Sequence, residues 1–153
     1  MATLVALPGE RTQKFIRLLH PEPPSTLENV QVLPLEVTDS DTIADAVRAV
    51  RKHGQGLVIL VYNAGTGYTM PLSEVDLDRA KAVYNANVWG LLRLVRAYSD
   101  LLVAAKGRMV NMSSVGAVVD TPWIGIYSSS KAAVTQFSKT LRLEFSPLGV
   151  SEL

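Results

Sequence analysis

A tyrosine and a lysine four positions apart, Tyr127 and Lys131, are the residues of this sequence best suited to move a proton. On a helix, a four-residue offset places two side chains on the same face, one turn apart. A phenol ordinarily has a pKa near 10, and a neighbouring ammonium lowers that pKa by favouring the phenolate. Such a pair can donate a proton to an oxygen, or accept one, near neutral pH. Taken alone, the spacing fits an ordinary contact on a helix surface equally well.

Three further polar residues precede this pair. Ser114 lies thirteen positions before Tyr127, and Asn87 lies twenty-seven before Ser114. Asn63 lies twenty-four positions before Asn87 and opens the tripeptide Asn-Ala-Gly. Each also has a plainer interpretation. Ser114 could cap a strand end, Asn63 could belong to an ordinary turn, and Asn87 could be a polar residue on a helix surface. Asn87 stands among alanine and valine, where a buried hydrogen-bond partner explains an amide better than solvent does.

The chain alternates between apolar runs typical of strands and patterns typical of helices. Strands are predicted at residues 1–6, 30–37, 57–61 and 108–112. Helices are predicted at residues 10–19, from residue 42 towards Gly54, at 77–104 and at 124–145. This alternation predicts a doubly wound α/β fold, with a parallel sheet and helices on both faces. Ligands bind such sheets at the carboxyl ends of the strands, where Asn63, Ser114 and Tyr127 are expected to meet.

Composition narrows the function classes further. The 153 residues carry a formal net charge of +1, no cysteine and two histidines, and their number suits a single domain over residues 1–153. Without cysteine there are no disulfides or thiolate nucleophiles, and two isolated histidines argue against a metal site. The basic residues are scattered and form no stripe for nucleic acid or an anionic membrane. No segment predicts a signal peptide or a membrane span, so we expect a cytoplasmic protein.

Taken in order, four segments of the sequence resemble the motifs of the short-chain dehydrogenase/reductase family. They are Asn63-Ala-Gly65, Asn87-Val-Trp-Gly90, the Ser113-Ser114 segment and Tyr127-x-x-x-Lys131. Their order and spacing match those of the family across essentially the whole chain. The resemblance implies a partial Rossmann-like NAD(P)-binding domain. It also implies hydride transfer between a nicotinamide cofactor and a carbonyl or alcohol substrate.

The resemblance implies a role for each of four residues. Tyr127 would be the acid that protonates the carbonyl oxygen, or the base in the reverse direction. Ser114 would donate a hydrogen bond to that oxygen. Lys131 would stabilise the phenolate and bind the nicotinamide ribose. Asn87 would interrupt its helix and hold a water molecule that links Lys131 to solvent.

A cofactor-binding set follows from the same resemblance. Small residues after a central strand let the backbone approach a flat ring. Glu36 stands where the family has an aspartate that contacts the adenine. The implied cofactor-binding residues are Glu36, Asn63, Ala64, Gly65, Tyr127 and Lys131. NADP(H) is favoured over NAD(H). In the family, a basic residue after the second strand or in the glycine loop selects NADPH, and residues 1–11, the second-strand region here, offer only Arg11.

Two parts of the family pattern are absent from the sequence: the first strand with its T-G-x-x-x-G-x-G pyrophosphate loop, and the C-terminal strands with much of the substrate pocket. We therefore expect an incomplete sheet with unpaired strand edges in its interior. Two interpretations stay open. The chain is either a fragment of an active reductase, or a catalytically inactive remnant that acts as an oligomerisation partner. The two long predicted helices form the homo-oligomer interface in the family.

The resemblance also points to a substrate class. Residues 71–78, 105–111 and 141–150 look most like fungal NADPH-dependent 1-acyldihydroxyacetone-phosphate reductases, with hydroxysteroid and retinol-type dehydrogenases next. This branch implies a lipid-like ketone as the substrate. It also raises the surface of the endoplasmic reticulum or of lipid droplets as a location.

Overall fold

The computed structural model describes residues 3–7, 14–19, 30–54 and 56–152. The six strands in these ranges are β1 (Thr3–Leu7), β2 (Lys14–Leu19), β3 (Val30–Pro34), β4 (Ile59–Tyr62), β5 (Arg108–Asn111) and β6 (Ser151–Glu152). The four α-helices are α1 (Ser40–Arg51), α2 (Leu77–Tyr84), α3 (Gly90–Ala105) and α4 (Gly125–Phe145). Arg11, which we considered as a cofactor-selecting residue, lies outside the described residues.

The strands form one sheet in the order β3-β2-β1-β4-β5-β6. β4, β5 and β6 run parallel to one another, and β2 runs parallel to β3. β1 pairs antiparallel with both β2 and β4. The predicted α/β class is confirmed, but the expectation of unpaired edges inside the sheet is wrong. Thr3–Leu7 occupies the central position and gives both neighbouring strands a hydrogen-bonded partner.

The helix predicted at residues 10–19 was assigned the wrong type where the structure describes it. Lys14–Leu19 is a strand that pairs with β1 on one side and β3 on the other; residues 10–13 lie outside the described ranges. The prediction depended on Phe15, Leu18 and Leu19 at helical spacing. Four of these six residues are apolar, which fits a short strand equally well, and pairing with two neighbours decides between the two.

α1 begins at Ser40, two residues before the predicted start. The Asp39 carboxylate accepts hydrogen bonds from the backbone N–H groups of Asp41, at 2.8 Å, and Thr42, at 3.5 Å. This N-cap satisfies donors that have no partner within the helix. The buried stripe of the helix consists of Ile43, Ala46, Val47 and Val50. It packs into the main core, together with α3.

The long helical region from residue 77 is divided. α2 ends at Tyr84, a π-helical turn spans Asn85–Trp89, and α3 begins at Gly90. The expectation that the helix is interrupted at Asn87 agrees with this wide turn. α3 buries Leu91, Leu94, Tyr98 and Leu102 almost completely against the sheet and α1.

Crossovers between parallel strands are right-handed as a rule, and α1, α3 and α4 each lead in the same direction along the sheet, which puts them on one side of it. The helices predicted for the opposite face are therefore not among the described residues. Burial along β4 agrees: Leu60 and Tyr62 are buried, whereas Ile59 and Val61 are only half-buried. Within the described part of the chain, no helix is long and apolar enough to cross a bilayer. The same residues hold no cluster of three potential metal ligands.

Candidate functional site

A cavity of about 340 Å³ opens at the carboxyl ends of β4 and β5, beside the start of α4. Three segments line it: residues between Asn63 and Thr69, the pair Met112 and Ser113, and the first turns of α4. This third segment contributes Tyr127 and Lys131 of α4 together with Ile124, the residue before the helix. The cavity thus lies where open α/β sheets bind ligands.

Tyr127 and Lys131 reach this cavity together. The Lys131 Nζ lies 6.0 Å from the centroid of the Tyr127 ring, and it donates a 2.7 Å hydrogen bond to the backbone oxygen of Met112. Lys131 is only 4% exposed. Burial lowers the pKa of Lys131 below its ordinary value, because desolvation penalises the ammonium. The bond to Met112 holds the Lys131 Nζ near Tyr127, close enough to interact electrostatically with its ring.

Asn87 is fully buried and connects two segments of the site. Its Oδ1 accepts a 2.7 Å hydrogen bond from the Thr66 N–H, and its Nδ2 donates to the Thr66 oxygen at 2.8 Å. The second Nδ2 hydrogen goes to the Ser130 Oγ at 2.9 Å. Ser130 Oγ in turn donates to the Tyr127 backbone oxygen at 2.7 Å. Both amide hydrogens are therefore used by protein groups, which leaves only acceptor capacity on Oδ1 for a water molecule.

The two serines after β5 do different things. Ser114 Oγ accepts a 3.2 Å hydrogen bond from the Gly116 N–H and so caps a short 3₁₀ turn, Val115–Ala117. Accepting that bond leaves the Ser114 hydroxyl proton able to bind an oxygen. Ser113 lines the cavity, and its Oγ bonds to the Lys131 oxygen at 3.2 Å and to Thr135 at 2.6 Å. Ser113 thus ties β5 to α4.

The residues after β4 pack closely against two polar side chains of the site. A Cβ added at Gly65 would lie 3.2 Å from Asn87 Oδ1 and 3.5 Å from Lys131 Nζ, so only a small residue fits there. Asn63 lines the same cavity, and Ala64 is buried behind it. The cavity of about 340 Å³ beside Asn63, Gly65 and Lys131 has room for the nicotinamide and ribose end of a dinucleotide. The residues of the site therefore suit the implied cofactor at that end.

Glu36 lies apart from this cavity. Its Oε1 accepts hydrogen bonds from the Thr38 N–H at 3.0 Å and from the Thr38 hydroxyl at 2.8 Å. The carboxylate thus stabilises the turn between β3 and α1. Its second oxygen makes neither of these bonds and can accept one from a ligand.

Sequence reasoning missed Ser130, Thr66 and Gly67. Ser130 lies within the Tyr-Ser-Ser-Ser-Lys segment, but nothing in that segment shows which of the three serines meets Asn87. Thr66 acts through its backbone, which carries no sequence signal. Gly67 lies directly against Tyr127. The sequence shows only that a glycine follows Asn-Ala-Gly-Thr, and this does not indicate the contact with the tyrosine.

Comparison with known proteins adds independent information. The sequence profile of the family described as short chain dehydrogenase matches residues 4–151. A short-chain dehydrogenase of Penicillium crustosum, PC-15, is 44% identical over 128 residues, which are 83% of this chain and 47% of the relative. The NADPH-dependent 1-acyldihydroxyacetone phosphate reductase of Schizosaccharomyces pombe is 36% identical over 126 residues, or 82% of this chain and 43% of the relative.

A solved structure agrees with both relatives. The short chain dehydrogenase of Burkholderia cenocepacia in complex with NADP superposes with a TM-score of 0.76 at 27% identity, covering 85% of this chain and 54% of the other. The chain spans under half the length of the two curated relatives it was compared with.

Proposed function

The chain belongs to the family of short-chain dehydrogenases, and on that premise we propose that it transfers hydride between a nicotinamide cofactor and a carbonyl or alcohol. The observation that carries the proposal is the placement of Tyr127 and the buried Lys131 in the wall of one cavity. A phenol over a buried amine, in the wall of a cavity with room for a flat ring, is an arrangement for proton transfer next to a cofactor.

The residues divide the work in the following way. The cofactor, when bound, supplies hydride to the carbonyl carbon or accepts it from the alcohol. Tyr127 gives its phenolic proton to the substrate oxygen as negative charge develops there. The Lys131 ammonium stabilises the resulting phenolate from a position fixed by its bond to Met112. The Ser114 hydroxyl donates a hydrogen bond to the same substrate oxygen.

Asn87 has a supporting role in this proposal. Its bonds to Thr66 and Ser130 hold the loop after β4 against the start of α4, the two segments that form opposite walls of the cavity. Its remaining acceptor capacity on Oδ1 can hold the water molecule that connects Lys131 with solvent. Proton delivery to Tyr127 then passes through Lys131 and does not require a carboxylate.

For the cofactor we propose NADP(H) rather than NAD(H), held by Asn63, Ala64, Gly65, Tyr127 and Lys131, with Glu36 at the adenine end. Two observations support the choice: the Schizosaccharomyces pombe relative is named as NADPH-dependent, and the Burkholderia structure contains NADP. Neither concerns this chain directly. Competition between NADPH and NADH in a binding titration tests the choice.

For substrate and assembly, we propose a small carbonyl or alcohol, of which an acyldihydroxyacetone phosphate or another lipid-like ketone is the first to test. We also propose a homo-oligomer through α2–α3 and α4; the exposed Leu77 and Trp89 are consistent with a contact surface on the first of these. We place the activity in the cytoplasm. The acyldihydroxyacetone phosphate branch raises the endoplasmic reticulum or lipid-droplet surface as the alternative.

The test is turnover by the chain with NADPH and a panel of ketones, followed by the loss of NADPH absorbance. Tyr127→Phe removes only the phenolic oxygen and should reduce turnover by about two to four orders of magnitude. Tyr84→Phe is the matched control, because Tyr84 lies on α2 outside the cavity, and it should keep full turnover. Turnover that survives in Tyr127→Phe would falsify the assignment of the acid.

A further inference from the structure

Gly67 lies against the root of the Tyr127 side chain. A Cβ added at Gly67 would lie 2.8 Å from the tyrosine Cδ2, 3.1 Å from its Cβ and 3.2 Å from its Cγ. All three nearest atoms belong to this one side chain. Separations below 3.0 Å are essentially never found for real Cβ atoms. A residue larger than glycine therefore cannot occupy position 67 unless the tyrosine or the loop moves.

The loop cannot easily move away. On one side of Gly67, Thr66 is held by two hydrogen bonds from the buried Asn87 side chain, of 2.7 Å and 2.8 Å. On the other side, the Met70 N–H donates a 2.7 Å bond to the Trp123 oxygen. The segment is anchored both before and after the glycine. The ring of Tyr127 is thus the group that must yield.

Backbone strain does not explain the glycine. Gly67 is not among the glycines with a positive φ, which are Gly54, Gly56 and Gly149 among the described residues. An alanine at position 67 keeps an ordinary backbone conformation. The contact with Tyr127 is then the difference between glycine and alanine at this position.

We propose that Gly67 is a positioning residue, whose bare backbone sets the orientation of the Tyr127 phenol over Lys131. The importance of that orientation for catalysis rests on the proposed function above. A ring displaced by a Cβ would no longer place its oxygen where substrate and amine meet. Misplacement on the order of 1 Å can reduce a rate about a hundredfold.

The experiment is carbon-13 NMR of the chain labelled at the tyrosine Cζ, with Tyr127→Phe used to assign the Tyr127 resonance. In Gly67→Ala, the Tyr127 resonance should move further than those of Tyr62 and Tyr98. Gly125→Ala is the matched control: its Cβ would lie 2.8 Å from Cδ2 of Leu72, a side chain that is 63% exposed and free to move. An unmoved Tyr127 resonance in Gly67→Ala, or an equal movement in Gly125→Ala, overturns the proposal.

A thermodynamic cycle covers the case in which Gly67→Ala is too unstable for NMR; if it does not fold at all in the parent chain, recovery of a folding transition in the Tyr127→Ala background counts as the smaller loss. The loss of melting temperature caused by Gly67→Ala is compared in the parent chain and in Tyr127→Ala, which removes the Cγ and Cδ2 contacts. The loss should become markedly smaller in the second background, and an unchanged loss overturns the proposal. Neither measurement requires turnover. Failure of the acid assignment in the turnover assay is therefore distinguishable from failure of this inference.

Discussion

Replacing Asn87 with alanine should weaken the site and the fold together. The substitution removes three hydrogen bonds of 2.7–2.9 Å from a side chain with no exposed surface. Each bond is worth about 0.5–1.5 kcal/mol net, and more where a partner is left buried without a bond. The two Thr66 bonds are part-buried in an exposed residue, and Ser130 keeps its bond to the Tyr127 oxygen, so the groups left behind are not fully desolvated. We therefore expect a loss of roughly 2–4 kcal/mol.

For a chain of 153 residues, this loss lowers the melting temperature by roughly 5–15 °C. Calorimetry measures it, with Asn85→Ala in the same π-helical turn as the control. Asn85 loses one bond, from the Arg93 guanidinium at 2.8 Å, and Arg93 keeps a second bond to the backbone of residue 85. The control should cost about 1 kcal/mol.

Hydrogen exchange supplies a local measurement for the same prediction. The Thr66 N–H is protected by Asn87 Oδ1 and should exchange much faster in Asn87→Ala. Equal melting temperatures for the two variants, or unchanged protection of the Thr66 amide, would refute the reasoning that Asn87 holds this loop.

Two predictions concern buried ionisable groups. Burial lowers the pKa of Lys131 from 10.5. The buried ammonium therefore destabilises the folded state below the folded-state pKa, and this effect disappears as pH rises towards 10.5. Unfolding free energy in the parent chain should therefore rise with pH in that window, and Lys131→Met should lose the rise while the exposed Lys139→Met keeps it. The pKa of Glu152 is raised by burial, although bonds from Ser138 and Asn111 oppose the shift. The protonated Glu152 therefore stabilises the folded state below pH 4.5, and this contribution is lost as pH rises through the folded-state pKa. In urea titrations, the unfolding free energy of Glu152→Gln should lack this decline, whereas that of Glu144→Gln should keep it.

Much of the fold follows from patterns within single segments. The stripe on α1, its Asp39 cap and the long helix to Phe145 are set by local spacing and local hydrogen bonds. The rule that ligands bind at the carboxyl ends of strands predicted that Asn63, Ser114 and Tyr127 would meet. Asn63 and Tyr127 line one cavity, whereas the lining residue after β5 is Ser113 and not its neighbour Ser114.

What the sequence did not reveal depends on contacts between distant segments. Thr3–Leu7 lies in the centre of the sheet because it pairs with both β2 and β4. That position depends on two other strands, so the five residues alone do not predict it. Lys14–Leu19 has a helical pattern that two neighbouring strands override. Gly67 faces a side chain sixty positions away, and no local pattern encodes such an approach.

The π-helical turn at Asn85–Trp89 has a physical reason in these contacts. A wide turn is less favourable than continuous α-helix, and such turns concentrate at functional sites. Here the Tyr62 hydroxyl donates a hydrogen bond to the Ala86 oxygen, and Asn87 makes its three bonds from the same turn. Four hydrogen bonds with groups outside the helix thus offset the free-energy cost of the irregular backbone. Because they join the end of β4, the Thr66 loop and α4, the turn fixes both walls of the cavity at once.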